Sequence, residues 1–214
     1  IAWDGEWYRR CITDEGRFIG SKQEPQAKIW LNTQSWSVIS GMGDNAKTAM
    51  DSVKKYLDTE LGIKKIDPAM KDYPTKEDPL TYYNKGCGEN GSVFCHANTW
   101  AIIAECMLKR PENAYKYYRQ LLPMIAQSKA GEWRYKAEPY VYASNIFGPE
   151  SDKFGLANVS WLTGTAAWMY VAVTQYMFGI KPRYDGLEID PCLPKEMLPA
   201  KITRVFRGKT YNIT

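Results

Sequence analysis

At 214 residues the chain can bury a sizeable core, and 44% hydrophobic with 24% charged residues is the balance of a globular protein. The net charge of +4 is spread, with Lys and Arg interleaved among Asp and Glu, so nucleic acid is not an expected partner. No stretch has the length and polarity of a signal peptide or a membrane span, so no membrane partner is expected either.

Aromatic residues are the departure from the ordinary, with eight Trp and fifteen Tyr. Such rings serve cores, and they also line sugar sites, where an apolar face stacks on a pyranose and a polar tip hydrogen-bonds. The five cysteines, Cys11, Cys87, Cys95, Cys106 and Cys192, are odd in number and lack CxxC spacing. That pattern suits buried thiols in a reduced, cytoplasmic compartment better than a disulfide framework or a metal site. The chain opens at "IAWDGEWY" without a methionine and closes at "FRGKTYNIT", and it reads as part of a longer protein.

In chain order, "SWSVISGMG" suggests a short helix over residues 35–43. Residues 45–61 place Ala49, Met50, Val53 and Leu57 at helical spacing, with Gly62 as the stop. Residues 97–109 predict a second amphipathic helix with Trp100, Ile103, Ala104, Met107 and Leu108 on its stripe. Pro111 suits the first turn of another, with Tyr115, Tyr118, Leu122 and Ile125 on one face. The most apolar segment, "SWLTGTAAWMYVAVTQYMFG" (160–179), predicts a buried helix ending at a glycine, with Met169, Tyr170 and Met177 in the core. Two long irregular stretches, 66–91 and 131–159, join these helices, and such loops are usually functional. The tail has short β-prone runs broken by Pro. The expected class is mostly α, with chemistry on the loops.

Those loops carry a specific likeness. "DGEWYRR", "IWLNTQSW", "ENGSVFCHANTW", "EPYVYASNI", "NVSWLTGTAAW" and "GIKPRYDGLEIDPCLP" stand in the order found in the cellobiose and chitobiose phosphorylases. The whole chain thus resembles glycoside hydrolase family 94. The resemblance implies part of an (α/α)6 toroid of paired helices over residues 1–181 and the start of a β-rich C-terminal segment over 182–214. It also implies cleavage of a β-linked disaccharide by inorganic phosphate, with inversion, to give an α-sugar-1-phosphate. Phosphate is then a co-substrate, no cofactor is needed, and a homodimer is the expected assembly.

The resemblance assigns parts to particular residues. His96, the only histidine, matches a phosphate contact. An imidazole can donate a hydrogen bond to a phosphate oxygen; without its flanks, the same residue reads more readily as a core histidine ahead of a helix. Thr163 and Gly164 match a phosphate site, where a hydroxyl and free backbone N–H groups at a helix start suit an anion. Ser144 stands where cellobiose enzymes carry a phosphate-contacting Gln, and its shorter side chain reaches less far. Glu89 matches a glutamate on the leaving sugar, but Gly88 replaces the Lys that precedes it in cellobiose enzymes. Tyr83 is a candidate wall of that subsite. Gln34, Glu138 and Tyr140 are motif residues that orient ligands or make structural hydrogen bonds.

The family's general acid is an Asp in a Trp-Asn-Asp motif, which does not occur in these 214 residues. Asp4 follows Trp3 in a different context and takes no such role. The catalytic acid is therefore expected upstream, and the chain alone is expected to be inactive. The reading is the phosphate and leaving-sugar part of an inverting disaccharide phosphorylase. Its rival is a non-catalytic carbohydrate-binding fragment or subunit that needs a partner chain. A hydrolase would need two opposed carboxylates, and no such pair can be assembled from the sequence.

Overall fold

A computed structural model of the protein describes residues 1–71 and 83–214. Strands β1 (Cys11–Ile12) and β2 (Phe18–Ile19) form an antiparallel hairpin. Strand β3 (Ile29–Trp30) runs directly into α1 (Leu31–Ile39), and α2 (Ala46–Tyr56) follows. The hairpin β4 (Asp58–Thr59) and β5 (Gly62–Ile63) turns the chain back, and β6 (Ile66–Asp67) pairs with β3. Strand β7 (Val93–Phe94) enters α3 (Cys95–Met107), followed by α4 (Pro111–Leu121), α5 (Pro123–Ala130) and the single turn α6 (Glu132–Tyr135). Strands β8 (Ala143–Ile146) and β9 (Ala157–Ser160) add to β7 in the one three-stranded sheet. Helix α7 (Thr165–Val171) widens into a π-helical turn, Ala172–Met177. The chain ends in two antiparallel pairs, β10 (Ile180–Pro182) with β11 (Leu187–Ile189) and β12 (Ile202–Phe206) with β13 (Lys209–Ile213).

This corrects the expected class. The described residues form seven α-helices, but also thirteen strands in six small sheets spread along the chain, with a β-rich C-terminal part. A mostly α toroid of paired helices is not what they build. The physical reason is length: most of these strands have two to four residues, too few for period-two alternation to register in a sequence.

Helix α3 is the centre. Ala97, Ala101, Ile102, Ile103, Ala104 and Cys106 are all buried, so it is enclosed on nearly every side rather than amphipathic. The three alanines let neighbouring helices come close. Ala49, Met50, Val53 and Leu57 of the α2 region are buried as the spacing predicts, although the helix ends at Tyr56 and Gly62 sits in the following hairpin. The predicted run through Tyr115 and Ile125 breaks at Leu122, which is extended (ψ 121°) because Pro123 disfavours a helical residue before it. The core face of α4 is accordingly Ala114, Tyr117, Gln120 and Leu121, and the predicted Tyr115, Tyr118, Leu122 and Ile125 are half-buried. The apolar 160–179 segment starts its helix only at Thr165, and Tyr170 is exposed while Met169 and Met177 are in the core. The stretch 131–159 is less irregular than expected, since it contains α6, β8 and part of β9.

Among the described residues, no helix is long and apolar enough to cross a membrane, and no group of three or more His, Cys, Asp or Glu is placed to hold a metal ion. All five cysteines are free thiols; Cys95, Cys106 and Cys192 are buried.

Two buried polar residues on α3 yield tests. The Asn98 amide accepts from Ile63 N–H (2.7 Å) and donates to the carbonyls of Ile63 (2.9 Å) and Phe94 (3.0 Å), with no exposed surface. Asn98→Ala strands both Ile63 groups in the interior and should cost about 2–4 kcal/mol in chemical denaturation. Glu105 is fully buried, with Asn113 Nδ2 at 3.3 Å and Arg110 at 3.7 Å from Oε2. Burial pushes its carboxyl up to about 7 despite the nearby Arg110. The folded chain thus holds this proton more tightly than the unfolded chain does. The resulting stabilisation is full below pH ~4.5 and is lost as pH rises through ~7. Denaturation midpoints at pH 5 and 8 should show Glu105→Gln less pH-dependent than the parent, by on the order of 3 kcal/mol.

Candidate functional site

The Asn98 clamp presses β5 against the start of α3, and the residues just after β5 continue along β7. Lys65 N–H donates to Ser92 O at 2.8 Å, Lys64 bridges Val93, and Leu31 N–H donates to Lys65 O at 2.9 Å. Lys65 is thereby fixed beside the "ENGSVFCH" loop, and its side chain is only 8% exposed. Its ammonium lies 2.7 Å from Glu89 Oε2 and 4.5 Å from the centre of the Phe94 ring. A buried ammonium needs a counter-charge, and here a carboxylate and an aromatic face supply one.

The loop is held by a second buried amide. Asn90 accepts from Met70 N–H (2.7 Å) and donates to Met70 O and Tyr83 O (both 2.9 Å). Gly88 has φ +52°, and a Cβ there would lie 2.5 Å from the Tyr83 ring, so only glycine lets that ring lie across the loop. Ser92 Oγ donates to Gly88 O. Tyr83, itself 43% exposed, therefore packs its ring against the residue just before Glu89.

His96 is the second residue of α3. Its ring faces Gly164: a Cβ at Gly164 would lie 2.8 Å from Cε1 and 3.0 Å from Nδ1. The glycine thus makes room for the imidazole. Behind the ring stands Trp100, 4.8 Å between centroids, with Trp36 and Trp168 edge-on to Trp100 at 5.4 and 5.9 Å. His96 Nε2 and Trp100 Nε1 are buried and find no hydrogen-bond partner among the described residues. Burial, and then the positive charge of Lys65, hold the His96 pKa below the ordinary imidazole value, so the ring is neutral at pH 7. The Thr163 hydroxyl is 2.7 Å from Thr165 Oγ1 and accepts from Thr165 N–H at 3.2 Å, closing the turn into α7.

The structure therefore sets the His96 ring against Gly164, the neighbour of Thr163, and the Tyr83 ring against Gly88, the neighbour of Glu89, whose carboxylate pairs with Lys65. Ser144 is on β8, the strand that pairs with β7 ahead of His96. Gln34 is a structural clamp, fully buried and bonded to Tyr8 N–H, Tyr8 O and Trp30 O. Glu138 accepts from Trp161 Nε1 at 2.9 Å, linking the "EPYVY" and "SWLTG" motifs, while Tyr140 points outward. Sequence reasoning missed Lys65 and the Trp36–Trp100–Trp168 wall. In "IKKID" nothing marks either lysine as enclosed, yet strand pairing leaves the side chains of Lys64 and Lys65 only 12% and 8% exposed.

Residues 1–179 match the model of the glycosyl hydrolase 94 superfamily, catalytic domain. The chain is 37% identical over its whole length to a solabiose phosphorylase of Paenibacillus borealis, spanning 28% of that protein. It is 37% identical over 99% of its length to an N,N'-diacetylchitobiose phosphorylase of Vibrio proteolyticus, spanning 27% of it. It is also 38% identical over its whole length to the cyclic beta-(1,2)-glucan synthase NdvB of Rhizobium meliloti, of which it spans 8%. The chain thus corresponds to little more than a quarter of the phosphorylases it matches. With the family model covering most of its residues, it belongs to the glycosyl hydrolase 94 superfamily.

Proposed function

We propose that this chain supplies the phosphate and leaving-sugar contacts of a disaccharide phosphorylase that inverts configuration. The observation that carries the reading is the His96–Gly164 contact, in which a neutral imidazole with an unpartnered buried nitrogen lies against a glycine whose neighbour Thr163 turns the chain into α7. A buried ring nitrogen without a partner is costly, and a phosphate, which accepts through its oxygens and donates through its O–H when monoprotonated, would satisfy it in either tautomer. The phosphorylase names of the similar proteins agree with this chemistry.

In the proposed reaction a phosphate oxygen attacks the anomeric carbon from the face opposite the glycosidic oxygen. The glycosidic C–O bond breaks, its electron pair stays on the leaving oxygen, and that oxygen takes a proton from a carboxylic acid. No residue of this chain is assigned that acid. His96 and Thr163 hold and aim the phosphate, which is already a nucleophile and needs no base. Glu89 accepts from a hydroxyl of the departing sugar, with Tyr83 beside it. Ser144 lies at the margin and reaches phosphate only through water. Phosphate held in this position fills the place a hydrolytic water would take.

Calorimetric titration with phosphate should give saturable binding that His96→Ala abolishes; unchanged binding in the variant would assign His96 a structural role. The imidazole signal of His96 is self-assigned in NMR because it is the only histidine. Phosphate should raise its pKa, since a bound anion favours the imidazolium. Gly164→Ala forces the ring aside and should weaken phosphate by about 1–2 kcal/mol.

A further inference from the structure

Lys65 takes no part in the reading above, yet it is the one lysine buried among the described residues. Its ammonium lies beneath Glu89 and takes Oε2 at 2.7 Å, with the Phe94 ring closing another side at 4.5 Å. The pair is graded in depth: the Lys65 side chain is 8% exposed and that of Glu89 31%. An arriving sugar therefore meets the carboxylate first, with its counter-charge behind it. One oxygen is already committed, which leaves Oε1 to accept from a ligand hydroxyl. The backbone of Lys65 is pinned on both sides, through Ser92 and Leu31, and its side chain is enclosed, which limits how far the ammonium can move.

We propose that Lys65 is a specificity-determining and positioning residue, which fixes Glu89 and makes this subsite select an uncharged leaving sugar over a sugar acid. The outward negative end of the pair accepts from hydroxyls and repels a second carboxylate. Fixing one oxygen also selects which hydroxyl the other can reach. This inference rests on the leaving-sugar role proposed for Glu89.

The test is binding, by saturation-transfer NMR on the chain with phosphate present, using glucose, N-acetylglucosamine and glucuronic acid as probes. The parent should bind a neutral sugar at least about tenfold more tightly than glucuronate. Lys65→Met should lose about tenfold or more of the neutral-sugar affinity, and Lys65→Arg should restore most of it. Glu89→Gln, which keeps the ammonium but removes its partner, should move the preference toward glucuronate. The His96 signal gives a second readout that packing alone would not move. Gly164, Trp100 and Trp168 around that ring are uncharged, and Glu89 lies beyond Lys65, so the His96 pKa should rise in Lys65→Met and stay depressed in Lys65→Arg. Unchanged sugar affinity in a folded Lys65→Met, or an unshifted preference in Glu89→Gln, would overturn the proposal. Phosphate binding without sugar binding in the parent would sink this inference alone; absence of both would sink the phosphorylase reading with it.

Discussion

The site depends on one buried amide. Asn98, one turn into α3, satisfies both backbone groups of Ile63 and caps the carbonyl of Phe94. In water those exchanges would be worth little, but with no exposed surface each unmade bond would cost its full desolvation. The amide therefore fixes the register between β5 and the start of α3. From that register follow the inward turn of Lys65 after β5 and the position of His96 after β7. The Asn90 amide performs the same service one layer out, holding Met70 and Tyr83 to the loop that presents Glu89.

Around this frame the charges are arranged by depth. Lys65 is enclosed, Glu89 lies over it, and His96 is left uncharged by burial and by the same ammonium. A neutral imidazole offers one N–H donor and one acceptor nitrogen and brings little electrostatic field of its own. In the proposed reading, affinity for a phosphate dianion would then come from hydrogen bonds at this face and from charges elsewhere. Behind His96 stands the half-buried Trp100, with the exposed Trp36 and the half-buried Trp168 edge-on to it.

A polar residue held inside α3 has a cost as well as a use. Glu105, near the other end of the helix, is buried with one oxygen unpartnered among the described residues, and its carboxyl is pushed up to about 7. Arg110 reaches it only at 3.7 Å while making a closer pair with Asp51 at 2.7 Å. The helix thus carries a well-satisfied amide at the end that builds the site and a strained carboxyl at the end that does not.

Much of this was legible in the sequence. The helices carried by apolar spacing, α2 above all, follow from side chains that must leave water together, and that periodicity is a property of the chain itself. The order of the motifs along the chain points to the family, which the family model over residues 1–179 bears out. The strands were not legible, because pairs of two residues form where turns bring segments together and leave no pattern of their own. Nor was the break at Leu122 read, although Pro123 announced it. The sequence by itself determined which residues could carry chemistry. Only the tertiary structure decided that Gly164 makes room for His96, that Gln34 is a clamp, and that Lys65 lies beneath Glu89. Those are contacts between residues tens of positions apart, and their geometry is set by how the core packs rather than by any local preference of the chain.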